Sequence, residues 1–307
     1  MTGPTRAAAR RLVRAGRSHV CAAQVSAARH VPAYWFRGRV PNVGDELTPI
    51  LMARMTGRRA VHVADVALPG WYPVQVAVGS ILETARSPNV VVWGSGFIRS
   101  TGELSVRTAR VTAVRGPMTA ARLRAQGVAC PDVFGDPGLL VPLFFPRAGT
   151  PPEGPIGVIP HWSELDHPAI AALALGLDAR VVDVRRPLEE VLADLWACSL
   201  VVSSSLHGLI LADAYRVPSV WLKLSERALR GGFKFCDYFG SVGRHDHRAV
   251  DLRDGRLPSP PEVAELARLE PLDVDLAGLV SACPWPVAER EALRAEAGRL
   301  SEAMASA

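Results

Sequence analysis

The chain has 307 residues, 49% of them hydrophobic, a formal net charge of +5 and five scattered cysteines. That length suits two domains of ordinary size, each with its own core, and no apolar run reaches the roughly 18 residues that a membrane-spanning helix needs. The odd cysteine count, with no CxxC pair, argues against a disulfide framework and a zinc site; with no secretory signal in view, a cytoplasmic protein is expected.

Charge is unevenly distributed along the chain. Eight arginines (Arg6, Arg10, Arg11, Arg14, Arg17, Arg29, Arg37 and Arg39) precede the first acidic residue, Asp45, so the rest of the chain is net acidic. Residues 1–33 are read as a basic leader. Two readings stay open for it: a solvated tail, or an amphipathic segment in peripheral contact with the inner face of an anionic membrane. It carries no nucleic-acid recognition motif, and no nucleic-acid partner is expected.

Beyond the leader, "VPNVGDELTPILMARMTGRR" (40–59) reads as a turn opening a helix, with Asp45 near the positive end of the helix dipole. Capping accounts for Asp45 but leaves Asn42 free to reach a ligand. The continuous apolar runs "VQVAVGSIL" (75–82), "NVVVWGSGF" (89–97) and "RVTAVRG" (110–116) predict strands buried on both faces of a parallel sheet. "PMTAARLRAQG" (117–127) begins with Pro and stops at Gly, as a helix does.

A Pro-rich stretch, "FPRAGTPPEGP" (145–155), reads as a linker to a second series. Strands are predicted at 156–162, 179–184 and 199–205, with a helix over 187–198. Two βαβ series predict an α/β fold of two Rossmann-like lobes, 34–148 and 149–250, facing a cleft at the C-terminal ends of their strands. Residues 251–307 form a C-terminal segment ending in a charged helix with a thin apolar stripe (Leu293, Leu300, Met304).

The stretch "SSSLHGLILADAYRVPSVWL" (203–222) sets three hydroxyls and an imidazole where a strand gives way to a helix. The serines supply N-cap oxygens, and the free N–H groups of the first turn accept an anion. His207 then stands ready to exchange a proton there. Serine caps are common, and taken by themselves they favour plain capping beside a satisfied core histidine. "GDP" (135–137) is an Asx turn or a carboxylate facing the cleft, and His161 sits where another strand ends. "LDVDL" (272–276) is read as a solvated turn rather than a metal-binding DxD, and "RHDH" (244–247) as surface; no metal is expected.

"NVGDELTPIL", "GSIL", "WGSGF", "VRGPMTA", "GDPGLL", "VIPHW", "SSSLHGLILADAYRVPSVWL" and "FKFCDYFGSVG", in this order, resemble the polysaccharide pyruvyl transferase family, in particular its bacterial exopolysaccharide branch. The resemblance covers roughly residues 34–245. It implies two lobes similar to GT-B glycosyltransferases, phosphoenolpyruvate as donor with no further cofactor, and transfer of pyruvate as a ketal onto a sugar or lipid-linked saccharide. Such chemistry needs an acid, a base, and cations or N–H groups for a phosphate and a carboxylate.

On that basis His207 and His161 are the acid/base candidates, with Asp45 or Asp136 orienting or deprotonating the acceptor. Arg115 and the helix start Ser203, Ser204, Ser205 and Gly208 would bind the donor's anionic groups, and Asn42, Gly44, Ser95 and Lys234 complete the expected substrate contacts. Other branches of the family carry an arginine where this chain has Ser205; Arg115, Arg99, Lys234 and Arg244 are the candidates to replace its charge. Two rivals remain: a nucleotide-sugar glycosyltransferase, with Glu226 holding the ribose, and a non-catalytic sugar-binding relative.

Overall fold

The computed structural model describes residues 24–25, 30–106, 109–147, 153–267 and 269–306. The leader up to Arg29 therefore lies almost wholly outside the described residues, as do positions 148–152 of the Pro-rich stretch.

The first lobe holds five parallel strands: β1 (Val31–Ala33), β2 (Ala60–His62), β3 (Val74–Val76), β4 (Val90–Trp93) and β5 (Ala109–Ala113). The second holds β6 (Ile156–Ile159), β7 (Arg180–Val181), β8 (Leu200–Ser203), β9 (Ser219–Lys223) and β10 (Ala249–Asp251), again all parallel. The first sheet has the order β2-β1-β3-β4-β5 and the second β7-β6-β8-β9-β10. Numbered from its own first strand, each sheet runs 2-1-3-4-5. Both lobes thus share one doubly wound topology, with a switch point between their first and third strands.

Helices follow from local sequence. Helix α1 (Val43–Thr56) is capped by Asn42, whose side-chain oxygen accepts from Gly44 N at 3.0 Å and Asp45 N at 3.3 Å, and it ends on Gly57 at φ +64°. Its buried face carries Leu47, Leu51, Met52 and Met55. Helix α2 (Pro117–Ala125) opens on Pro at its first turn, and α3 (Pro168–Gly176) does the same. Helix α4 (Leu188–Trp196) buries Leu188, Val191, Leu192 and Leu195, one face at helical spacing. Helix α5 (Leu206–Ala214) is capped by Ser205 and buried nearly throughout, which explains its uniformly apolar sequence.

The short α6 (Glu226–Leu229) and α7 (Phe233–Ser241) follow β9, and α8 (Pro260–Leu266) follows β10. The chain then returns to the first lobe. The C-terminal helices α9 (Leu276–Ser281) and α10 (Arg290–Ala305) pack there: the Trp93 indole donates to Leu279 O at 2.8 Å, and Ala288 N donates to Met55 O at 2.9 Å. Ala297 and Met304 of α10 are buried, with Leu293 and Leu300 partly so. One apolar cluster runs from α1 through α4 and α5 to α9 and α10, so the lobes share a continuous core.

The predicted strands overrun the observed ones at their C-terminal ends. After β3 the chain leaves the sheet, yet Val78, Ile81 and Leu82 stay buried, so the apolar run continues past the last ladder bond. Those departing segments form the floor of the cleft. Strands β1, β2 and β10 have three residues each, too few to show a period, and β9 is fused with α5 in one apolar stretch. The "LDVDL" segment is less solvated than expected: Leu272, Val274 and Leu276 are buried, and Asp275 caps α9 by accepting from Gly278 N. His245 and His247 of "RHDH" are exposed.

Candidate active site

In open α/β sheets, ligands bind beyond the C-terminal strand ends at the switch point. Here the two switch points face each other across one cleft of about 290 Å³. The first lobe contributes Phe36 after β1, Gly79, Ser80 and Ile81 after β3, and Asn42 and Asp45 at the start of α1. The second contributes His161 and Trp162 after β6, Ser205 and His207 at the start of α5, and Lys234 of α7 with Arg230 just before it. Two capped helix N-termini, one from each lobe, therefore border the same space.

His207 sits at the junction. Its ring packs so closely on the first turn of α1 that a Cβ at Gly44 would overlap the imidazole. This contact explains a glycine one residue before Asp45. Behind the ring, Asp136 is fully buried; its Oδ1 accepts from Gly138 N at 2.8 Å. The other carboxylate oxygen, Oδ2, lies 4.0 Å from His207 Nε2, and neither atom has a hydrogen-bond partner. Buried polar atoms are nearly always satisfied, so two atoms facing one another without a partner among the described residues single out this pair within the cleft.

Burial is the main cause of the unusual protonation here. It lowers the His207 pKa to about 3, helped by Lys234 and Arg115, so the imidazole is neutral in the free protein. It raises Asp136 to about 6 against the pull of Gly138 N–H and Arg115. It also raises Asp45 to about 7, against the hydrogen bond from Asn42 Nδ2, with Glu46 adding to the rise and Lys234 opposing it. Lys234 is pushed down to about 8 by burial and by the neighbouring cations Arg115 and Arg230, against Glu164 and Asp45. Burial thus brings Asp136, Asp45 and Lys234 all toward neutrality, the two carboxyls from below and the ammonium from above.

The structure brings His207, His161, Asp45, Asn42, Ser205 and Lys234 to the cleft wall, with Gly44 and Asp136 directly behind His207. The remaining candidates form a supporting layer. Ser203 is fully buried and bonded to Ile159 O and Ser205 N; Gly208 donates to Ser205 Oγ; Ser95 donates to Gly79 O at 2.7 Å. Ser204 accepts from His161 N at 2.9 Å and donates to Glu164 Oε2 at 2.6 Å, fixing the loop that carries His161.

Arg115 is corrected from a donor ligand to a structural group. Its side chain is fully buried and every arm is occupied: Nε and Nη2 hold Asp237 at 3.0 and 2.9 Å, Nη2 also donates to Phe97 O at 2.6 Å, and Nη1 donates to Ser80 Oγ. Only through Ser80 does it touch the cleft. Of the other substitutes for the missing arginine, Lys234 lines the cleft, whereas Arg99 is exposed and Arg244 pairs with Asp213 at 2.7 Å. Glu226 is exposed and paired with Arg253 at 2.9 Å, outside the cleft, so it does not serve as a ribose-binding carboxylate there.

Several site residues escape sequence reading. Arg230 lies in the left-handed region at φ 47° and lines the cleft beside Lys234, with no carboxylate at ion-pair distance among the described residues. Glu83 lines the first-lobe wall with a buried Oε1 that has no partner. Glu164 is 2% exposed and accepts from Ser204 and Ser225. Glu164 follows the quoted "VIPHW" by two residues, a signal that was available; Arg230 and Glu83 stand in loops without pattern.

A sequence profile described as "Polysaccharide pyruvyl transferase" matches residues 23–226. The chain is similar to the succinoglycan biosynthesis protein ExoV of Rhizobium meliloti (strain 1021), 31% identical over 243 residues, covering 74% of this chain and 67% of that protein. It is also similar to the uncharacterized protein L143 of Acanthamoeba polyphaga mimivirus, 26% identical over 211 residues, 66% of this chain and 71% of that one. No solved structure matches the chain, so the likeness to GT-B enzymes rests on the two-lobed architecture alone. Most of the motifs that meet at the cleft lie within the matched residues, with Arg230 and Lys234 just beyond them, and the chain belongs to the polysaccharide pyruvyl transferase family.

Proposed function

We propose that the protein transfers the pyruvyl group of phosphoenolpyruvate onto two hydroxyls of a sugar in an exopolysaccharide precursor, as a ketal. The observation that carries this reading is the polarity of the cleft. The second lobe presents Lys234, Arg230 and the start of α5 as one cationic pole, next to the orphaned His207–Asp136 pair and the titrating Asp45. A cavity of about 290 Å³ lies at the low end of ligand pockets, which run from about 300 to 1,000 Å³, and suits a small trianionic donor better than a nucleotide sugar.

The reaction divides into two additions at C2 of the donor. First, C3 gains a proton while a sugar hydroxyl adds its oxygen to C2 and gives up its own proton. Then the second hydroxyl adds its oxygen to C2 and gives up its proton to the base, the bond from C2 to the phosphate oxygen breaks, and phosphate leaves with that electron pair. Asp45, raised to about 7, is partly protonated at neutral pH and serves as the acid toward C3. His207, neutral with a pKa of about 3, serves as the base for a hydroxyl; Asp136 behind it stabilises the imidazolium that forms. Lys234, Arg230 and the α5 N–H groups hold the donor's anionic groups and the departing phosphate.

The test is direct. Exopolysaccharide stripped of pyruvate by mild acid, incubated with phosphoenolpyruvate and the protein, should gain the mass of a pyruvate ketal and release one phosphate per ketal. Glycosyl transfer from a nucleotide sugar without phosphate release from phosphoenolpyruvate would contradict the reading.

A further inference from the structure

The two walls of the cleft differ in chemistry. The cationic groups belong to the second lobe, whereas the first-lobe wall joins the apolar Phe36, 41% exposed, Ile81 and Ile98 to hydrogen-bonding and acidic groups, Asn42, Asp45, Ser80 and Glu83. An uncharged ring with hydroxyl edges fits that wall. If the donor lies against the second lobe, as the proposed function holds, the reacting sugar lies against the first. The rest of the acceptor must then leave the cleft along this lobe.

A second cavity, of about 490 Å³, opens there. It shares Thr84 with the cleft, and that residue is pinned as a partition: Tyr34 OH donates to Thr84 Oγ1 at 2.9 Å, and Thr84 Oγ1 donates to Ile81 O at 3.0 Å. The cavity exists because two crossover connections lack a covering α-helix. Residues 63–73 contain only one short 3-10 turn, and residues 77–89 contain no helix, so Val74 and Val90 at the starts of β3 and β4 line its floor. Thr84, Arg86 and Ser87 supply polar edges, and Trp71, next to the lining residue Gly70, is 65% exposed at its mouth. Neither the cavity beside Arg244 nor the one beside β10 shares a residue with the cleft.

We propose that this groove is the subsite for the sugar units that adjoin the pyruvylated one in the acceptor chain. An apolar floor with hydroxyl and guanidinium edges matches the C–H faces and hydroxyl rims of saccharides. A lipid chain would find those polar edges uncompensated.

The inference rests on the proposed function, and its test separates the two. Mono-, di- and tetrasaccharide fragments of depyruvylated exopolysaccharide are offered to the full chain at saturating phosphoenolpyruvate. The expected result is a kcat/KM that rises at least about tenfold, roughly 1.4 kcal/mol, from the mono- to the tetrasaccharide. In Ala67→Trp, which fills the groove from an exposed lining position, the rise should vanish while phosphoenolpyruvate binding and monosaccharide turnover persist. Ser87→Trp, from the opposite side, should do the same. A length-independent kcat/KM, or a length dependence that survives both fillers, overturns the subsite. So would a filler effect seen only with lipid-linked acceptors regardless of sugar length. Absence of phosphate release with every fragment would instead remove the proposed function, and this inference with it.

Discussion

Two buried ionic clusters lie within the same molecule, and they are built on opposite principles. Around Asp237 every group is satisfied: Arg115 grips the carboxylate, Thr119 donates to it from both its backbone N–H at 2.8 Å and its hydroxyl at 2.7 Å, and Gly116 lies against the Asp237 carbonyl with no room for a Cβ. Around His207 the groups face each other unsatisfied, with Asp136 Oδ2 and His207 Nε2 left 4.0 Å apart. The first cluster ties α7 to the first lobe and so fixes where Lys234 enters the cleft. The second leaves its polar capacity for a ligand. Complete pairing marks a structural joint; incomplete pairing under the same burial marks chemistry.

The sharpest way to break this comparison is to remove His207. His207→Ala should lower the rate of phosphate release by about 10²–10⁴-fold with an unchanged melting temperature, as expected for a general base whose pairing in the free protein is incomplete. A loss of stability comparable to the loss of rate would put His207 in the structural class. The converse holds for the other cluster. Asp237→Ala leaves the Arg115 guanidinium buried and unpaired and should cost about 3–5 kcal/mol in denaturant unfolding. Arg115→Lys should be destabilising too, because a point charge cannot replace three directed arms.

This contrast also shows what was legible in the sequence. The helix starts near Asn42 and Ser205 follow local rules, since a cap oxygen bonds N–H groups two or three residues on; Ser205 is among the serines read as caps, whereas the local pattern gives capping of α1 to Asp45 and it falls to Asn42, whose side chain is engaged there rather than free. The cleft location followed from two βαβ series. Arg115 was misjudged because its partner, Asp237, is 122 residues away, and no local pattern reveals that its guanidinium is fully engaged. Arg230 and Glu83 reach the cleft from loops whose course is set by tertiary packing rather than by periodicity. The groove beside the cleft arises from helices that are absent, and apolar runs give no warning of that.

A smaller effect sharpens the electrostatics of the cationic pole. A bound phosphate or carboxylate favours the ammonium form of Lys234, so its pKa in the complex lies above the value of about 8 in the free protein. Between those two values the complex holds more protons than the free protein. Affinity for phosphoenolpyruvate is therefore fully present below pH 8 and should fall as pH rises above it, by up to about tenfold per pH unit. Calorimetric titration across pH 7–10 reads this, and Lys234→Met should flatten the curve at a lower affinity.

The smallest expected effect concerns the cap of α5. Ser205 Oγ accepts from Gly208 N at 3.4 Å, a long bond, and Ser205→Ala should cost about 1 kcal/mol of stability at most. Its effect on phosphoenolpyruvate affinity should be equally modest if, as proposed, the helix N–H groups rather than the hydroxyl hold the donor. A large loss of binding would show that the serine itself contacts the donor.

The central claim is that this cleft holds phosphoenolpyruvate, and calorimetry of the unmodified protein tests it most directly. The account predicts saturable binding of phosphoenolpyruvate that Lys234→Met weakens and His207→Ala largely spares, together with little or no binding of UDP- and GDP-sugars. Tighter binding of a nucleotide sugar than of phosphoenolpyruvate would contradict it.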